Sequence, residues 1–319
     1  MDLCIIIPAY NSVDTIPITL DSIIKQKLNI KYEVVLVNDC SDYDYSNYIK
    51  KYSKKINIRE IKTPKNMGPG GARQYGIDNS SSKYIVFIDA DDYFFDNKSI
   101  SKMYSEIEKN NKDLVICNFV YERDNKVLIK EYDLTWLHGK IYRRKFITDN
   151  NIRFNNSRAN EDNGFNRLIL LMKPKVSFLE ETVYVYKENP NSITRKNSSS
   201  YKFEGLEGFC YNMNWAMDEA LKRGVDVHVI GRLSLDVLAS LYVYYFDLKD
   251  EYDVSKILIW AKNVYIKYKK IAHTMDENII NDFLEKKKKS LKDYVNVIHY
   301  DYDFNKFLSM LEEQNEEIL

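Results

Sequence analysis

Short apolar runs of strand length alternate with helix-period segments through the first third of this chain, and that alternation limits the fold more than any other feature. Runs at 4–7, 33–37, 57–61, 84–88 and 113–117 read as buried strands. Amphipathic stretches at 14–26, 45–54, 71–79 and 99–110 lie between them, with Asp14 and Ser99 standing where helix starts are expected. This order predicts βαβ units, and so an α/β fold with a mixed, mainly parallel sheet flanked by helices. Open sheets of that kind bind ligands outside the carboxyl ends of their strands, which makes the residues after each run the candidates for function.

The run Tyr84-Ile85-Val86-Phe87-Ile88 leads straight into Asp89-Ala90-Asp91-Asp92. Crowding carboxylates at one sheet edge is costly without a cation, and Mg²⁺ or Mn²⁺ would take oxygen ligands and share them with substrate phosphates. An isolated D-x-D is more often a solvated acidic turn; the buried strand ahead of it favours the metal. The first run is followed by Pro8-Ala9-Tyr10-Asn11, an aromatic and an amide with no glycine, whereas a dinucleotide site needs G-x-G-x-x-G there. NAD is therefore disfavoured. After the second run, Asp39 in Asn38-Asp39-Cys40-Ser41-Asp42 can either accept from the imide of a uracil-like base or cap a turn. The segment Asn66-Met67-Gly68-Pro69-Gly70-Gly71-Ala72-Arg73 is a glycine-rich helix entry suited to an anion, with Arg73 placed for a phosphate or one of the carboxylates. It lacks the Gly-Lys-Ser/Thr of a P-loop.

Lys+Arg and Asp+Glu both number 47, so there is no global basic field to hold a polyanion, and duplex nucleic acid is an unfavoured partner. Cys4, Cys40, Cys117 and Cys210 are dispersed, without metal spacing, and read as free thiols in a reducing cytoplasm. Met1 to Pro8 carries no basic leader and is too short for a signal peptide, so it reads as a first strand. From about 122 to 187 the pattern loosens into strand candidates at 126–130 and 182–186 and a helix at 163–172, a second lobe. Beyond 200 the chain reads as helical to its end, with Leu235, Leu238, Leu241, Tyr242 and Tyr245 on one buried face and Lys286 to Lys289 on a solvated one.

As an ordered set, Pro8-Ala9-Tyr10-Asn11, Asn38 to Asp42, Asn66 to Arg73, Asp89 to Asp92 and the later Glu161-Asp162 resemble the family 2 glycosyltransferases, inverting enzymes of the GT-A fold, over roughly residues 1–200. The resemblance implies a nucleotide-sugar-binding half at 1–95, an acceptor-binding half at 96–200 and a helical C-terminal region at 201–319. It further implies that Pro8 and Tyr10 frame the base, Asp39 reads its imide, Asn66 and Arg73 hold the neighbouring nucleotide region, and Asp89 touches ribose or sugar. Asp91 would ligate Mn²⁺ or Mg²⁺ on the diphosphate, and Asp162 would be the catalytic base. Residues 136–144, then Ile152-Arg153-Phe154, look like the acceptor-side signature, and Arg195, or Lys196 beside it, stands in a loop that resembles the one folding over the donor. Cys40, where the family commonly has glycine, and Gln74, where it often has asparagine, are departures. His138 reads as structural, since a lone histidine usually is.

The activity implied is transfer of one sugar from a nucleotide donor, UDP-linked by expectation, to a hydroxyl of a glycan, a lipid-linked or another acceptor. Such an enzyme would work in the cytoplasm, either free or against the inner face of the membrane. Two alternatives stand beside it. A nucleotidyltransferase would open with a glycine-rich basic loop after the first strand, which Pro8 to Asn11 is not. A nucleotide-binding module without transferase activity would bind UDP and Mn²⁺ and turn nothing over.

Overall fold

The computed structural model describes residues 1–123, 126–189, 199–249, 253–272, 277–291 and 303–313. The chain divides into two compact units, Met1–Gly208 and Phe209–Leu319. The first is a mixed α/β unit and the second is helical.

Strands β1 (Leu3–Ala9), β2 (Tyr32–Asn38), β3 (Ile58–Lys62) and β4 (Tyr84–Phe87) are parallel and lie in the order β3-β2-β1-β4. Their helices are α1 (Ile16–Ile24), α2 (Ser46–Tyr52) and α3 (Gly68–Asp78), and these crossovers are the reason the strands read as uninterrupted apolar runs. Leu3, Ile5, Ile7, Val34, Leu36, Val86 and Ile88 join one core cluster, against which α1 lays Ile16, Leu20 and Ile23 at helical spacing. On α3, a Cβ at Gly76 would come within 2.6 Å of Ile6 Cγ2 and 3.1 Å of Val37 Cγ2. Glycine there lets the helix lie directly on β1 and β2.

The sheet continues through β8 (Lys140–Arg143), β6 (Leu114–Arg123), β9 (Val176–Tyr186) and β5 (Tyr93–Phe94), with β7 (Lys126–Lys130) paired to β6. Here antiparallel pairings enter: β4 with β8, β6 with β8 and β7, and β5 with β9, while β6 and β9 stay parallel. Helices α4 (Ser99–Lys109), α5 (Arg144–Asp149) and α6 (Glu161–Leu171) complete this half. The helical unit holds most of α7 (Ser199–Lys222) and all of α8 (Val227–Leu248), α9 (Ser255–Ala272), α10 (Glu277–Leu291) and α11 (Phe304–Glu313). Leu235, Leu238, Leu241 and Tyr242 are buried as the stripe predicts, and Tyr245 is half-buried. By length and composition α8 could cross a membrane, but two-thirds of that window (67%) is buried within the protein, as in the core helix of a bundle.

Several local expectations are corrected. Asp14 is exposed and caps nothing; α1 starts at Ile16 behind Thr15, with Pro17 in its first turn. The helix read at 71–79 starts earlier: α3 begins at Gly68, so the glycines of the helix entry lie in its first turn. Ser99 does take part in its helix start, through mutual hydrogen bonds with Asp96 rather than as the cap residue itself. The strand expected at 182–186 is the end of the longer β9, and β8 lies where only an acceptor-side signature was read.

Candidate active site

The four parallel strands end side by side at Ala9, Asn38, Lys62 and Phe87, and the order reversal between β1 and β4 opens the crevice where such sheets bind ligands. Tyr10 leaves this edge with its ring exposed, and Pro8 behind it is half-buried. Asn11 takes the left-handed conformation (φ 50°) and exchanges two hydrogen bonds with Asp42, Nδ2 donating to Oδ2 at 3.0 Å and Oδ1 accepting from the backbone N–H at 2.9 Å. This clasp ties the β1 and β2 loops together. Cys40 also has a positive φ (61°), which gives the physical reason why a glycine suits this position.

Asp39 is buried, and its Oδ1 accepts from Thr63 Oγ1 and from the Met67 N–H, both at 2.8 Å. Asn66 Nδ2 donates to the Asp39 carbonyl at 3.3 Å. One carboxylate oxygen thus fixes the entry to α3. The glycines that follow serve close packing: a Cβ at Gly70 would meet Glu161 Cγ at 2.7 Å, and Gly68 has φ +73°. Gln74 bridges from α3 to the acceptor side, donating to Asp78 Oδ1 at 2.9 Å and accepting from the Phe154 N–H at 2.9 Å. Arg153 pairs with the same Asp78.

Arg73 is the centre of the site. Its Nη2 donates to Asp89 Oδ1 at 2.6 Å and its Nη1 to Glu161 Oε1 at 2.7 Å, while Nε is buried without a hydrogen bond. One buried guanidinium therefore joins α3, the end of β4 and the start of α6. Burial opposes its charge, but Asp89 and Glu161 outweigh that and raise its pKa. In turn, burial pushes the Asp89 carboxyl up, and Arg73 and His138 overcome it and hold it well below the usual carboxylate range.

The other acids of the turn are treated differently. Asp91 is half-buried, its Oδ2 accepts from Asn189 Nδ2 at 2.8 Å, and its pKa is raised, first by burial and then by Asp89. Asp92 is fully enclosed, accepting from the Tyr184 hydroxyl at 2.6 Å and the Lys187 N–H at 2.9 Å. Burial, then Asp91 and Asp89, raise its pKa strongly. Tyr184 also accepts from the Asp89 N–H at 3.2 Å, so β9 braces the whole turn. His138 Nε2 lies 3.7 Å from Asp89 Oδ2 and 3.8 Å from Asp92 Oδ2, its ring stacked on Tyr184 and Tyr186 and its Nδ1 buried without a partner.

Asp162 stands in the first turn of α6, next to Glu161 and behind Asn160 in the left-handed conformation (φ 58°). Its Oδ1 accepts from the Asn163 N–H at 2.8 Å. Burial, with Glu161 beside it, pushes its carboxyl up to about 7 despite the pull of Arg73. Lys140 is enclosed nearby on β8, donates to the Trp136 carbonyl and is pushed down to about 8 by burial, against the opposing charges of Asp133 and Asp162.

Among the described residues, Asp89, Asp92 and His138 are the three groups close enough to share one cation, with ligand atoms within 4.8 Å of one another. Asp92 spends both oxygens on protein donors and has no exposed surface, whereas Asp91 keeps access at the edge. The donor set is mostly hard oxygen, and burial, with the neighbouring carboxylates, raises the pKa values of Asp91 and Asp92, a cost that a bound cation would relieve; the site fits a divalent ion. The structure therefore brings together Pro8, Tyr10, Asp39, Asn66, Arg73, Asp89, Asp91 and Asp162 around one edge and its facing helix. Arg195 and Lys196 lie outside the described residues. Sequence reading missed the contacts of His138, Tyr184 and Glu161, which join distant segments; the stretch at 136–144 and the acidic pair at 161–162 were the local signals.

Residues 4–159 match the model described as Glycosyl transferase family 2. That stretch of the chain is a family 2 glycosyltransferase segment. It is 30% identical over 215 residues to "Uncharacterized glycosyltransferase EpsJ" of Bacillus subtilis, covering 60% of this chain and 62% of that protein. A cholesterol galactosyltransferase of Borreliella burgdorferi is 28% identical over 306 residues, 86% of this chain and 82% of its own length. The poly(ribitol-phosphate) beta-N-acetylglucosaminyltransferase TarS of Staphylococcus aureus is 27% identical over 203 residues, 58% of this chain and 35% of TarS. The crystal structure of TarS 1–349 in complex with UDP-GlcNAc superposes with a TM-score of 0.72 at 21% identity, covering 98% of this chain and 91% of that one, and so shares its GT-A fold. The chain spans less than two-thirds of the length of two of these curated relatives, EpsJ and TarS.

Proposed function

We propose that this family 2 member is a metal-dependent inverting glycosyltransferase that moves one sugar from a UDP-linked donor to a hydroxyl acceptor on a surface glycan or glycolipid. The observation that carries the reading is the Arg73 bridge: it locks Asp89 of the D-x-D turn and Glu161, neighbour of Asp162, into one unit. Donor-binding and proton-accepting groups are thereby held in fixed register, as a single displacement requires.

In this reading Tyr10 and Pro8 flank the base, Asp39 offers its second oxygen to the imide, and Asn66 supports that aspartate. Arg73 serves the donor through Asp89, whose Oδ2 faces ribose or sugar, and residues 1–95 and 96–200 divide the work between donor and acceptor. Arg195 is retained as a further donor contact on the strength of the resemblance alone. Asp162, with a pKa near neutrality, accepts the proton of the acceptor hydroxyl as that oxygen attacks the anomeric carbon. A divalent cation held at Asp91, when bound, would supply Lewis-acid stabilisation of charge on the leaving diphosphate. Relatives named for a ribitol-phosphate polymer and for cholesterol support a glycan or lipid acceptor, and with it a cytoplasmic enzyme that works at a membrane face.

Calorimetry of UDP binding with Mn²⁺ and with chelator tests the metal assignment. Asp91→Asn should abolish the Mn²⁺-dependent part of UDP binding and lower transfer by roughly a hundredfold. UDP affinity indifferent both to Mn²⁺ and to this substitution would defeat it. Retention of anomeric configuration in the product, read by NMR, would exclude the single displacement.

A further inference from the structure

Strand β7 has the sequence Lys126-Val127-Leu128-Ile129-Lys130, and among the described residues it pairs only with β6. Natural edge strands are usually blunted by inward charges, proline or a covering element. Here three large apolar side chains stand in a row and are exposed: Val127 at 67%, Leu128 at 51% and Ile129 at 62%. Strand alternation turns Val127 and Ile129 to one face and Leu128, between Lys126 and Lys130, to the other, so apolar side chains of β7 are exposed on both faces. Phe178, 54% exposed, meets Tyr132 edge-on at the base of the hairpin, 5.5 Å between ring centres. Contiguous apolar surface of this kind marks an interaction site.

Charge and position decide the occupant. Lys126 and Lys130 bracket the apolar triad; Lys130 holds its ammonium over the Trp136 ring, 5.7 Å from its centre, so the exposed Lys126 is the cation placed for a headgroup phosphate. Glu122, opposite Val127, accepts from Tyr93 and from the Glu188 N–H at the sheet, which leaves Glu131 as the acid that follows the strand. The hairpin also adjoins the catalytic edge. Leu128 is in register with Tyr121, which packs on Trp136 and Tyr186, and both of these contact His138 beside Asp89.

We propose that β7 seats this enzyme on a phospholipid surface, with Val127, Leu128 and Ile129 entering the headgroup–acyl boundary and Lys126 at the phosphates. A lipid-borne hydroxyl would then reach the acceptor side without leaving the bilayer. The proposal rests on the acceptor reading above only for that last step.

The test is co-sedimentation of the full chain with vesicles of phosphatidylglycerol and phosphatidylethanolamine, with no sugar transfer involved, so its failure is separable from that of the proposed activity. The chain should bind, and a Val127→Ser, Leu128→Ser, Ile129→Ser variant should bind at least about tenfold more weakly. Its melting temperature and its hydrolysis of UDP-sugar in solution should stay unchanged. Lys126→Gln should cost about fivefold and flatten the salt dependence. Should the triple variant unfold, Ile129→Asp at its exposed position reads the same loss. Absence of binding by the parent chain, or equal binding by the variants, overturns the proposal. So does concentration-dependent dimerisation, without vesicles, that the triple substitution abolishes, since β7 would then serve a second copy.

Discussion

The turn after β4 and the start of α6 each carry neighbouring acids, and in each one member is ion-paired to Arg73 while another is not. Asp89 and Glu161 are the pinned members. Asp91 and Asp162 are the others, both with pKa values raised by burial. The difference lies in what would relieve each. Asp91 has Asp89 and Asp92 crowded beside it at an open edge and calls for a cation; Asp162 has Glu161 beside it, feels Arg73, and is poised near 7, the condition of a group that exchanges a proton. On the proposed reading, one arginine separates a metal-type carboxylate from a base-type carboxylate.

The strongest way to break this comparison is Asp162→Asn. Transfer should fall by about 10²–10⁴-fold, while UDP binding with Mn²⁺ is unchanged by calorimetry. The same variant should be more stable than the parent at pH 8. Because the folded pKa lies above the unfolded value of about 4, the native state disfavours this carboxylate, and the penalty grows as pH rises from about 4 to about 7. Removing the charge should return on the order of 1–2 kcal/mol at pH 8, with allowance for partial exposure, and the gain should shrink toward pH 4 in thermal melts. Full activity in a folded variant would end the assignment.

Arg73→Met attacks the bridge itself. Two carboxylates would remain buried without their cation, at a cost of about 3–5 kcal/mol measured by urea unfolding. A loss within 1 kcal/mol would mean that the two acidic sites do not share their arginine in solution.

The smallest effect sharpens the base assignment. In the parent, kcat/KM should fall about tenfold per unit as pH drops below about 7, because protonated Asp162 cannot accept the acceptor's proton. In whatever fraction of the Arg73 variant stays folded, this limb should move to higher pH, since Arg73 lowers the Asp162 pKa. A limb that stays fixed would point to another base.

The placement of most residues at the carboxyl edge was legible because each sits next to its own strand: Tyr10 after β1, Asp39 after β2, Asp89 and Asp91 after β4. Local sequence suffices for that. Strand β8 was not legible. Lys140-Ile141-Tyr142-Arg143 is short and basic, yet it lies between β4 and β6, with Lys140 satisfied by the Trp136 carbonyl and Tyr142 by Asn166. Arg73 was read as a contact for phosphate or carboxylate, and only tertiary packing reveals that carboxylates take both ends. His138 was set aside as structural; its approach to Asp89 and Asp92 depends on the long-range pairing of β4 with β8.

Gly70 has a consequence for anyone who recombines relatives of this chain. A methyl group there would strike Glu161 at 2.7 Å, so α3 and α6 touch with no tolerance between them. Chimeras that exchange the acceptor-side segment while leaving α3 behind would inherit a mismatched seam. The natural cut for swapping specificity keeps both helices from one parent.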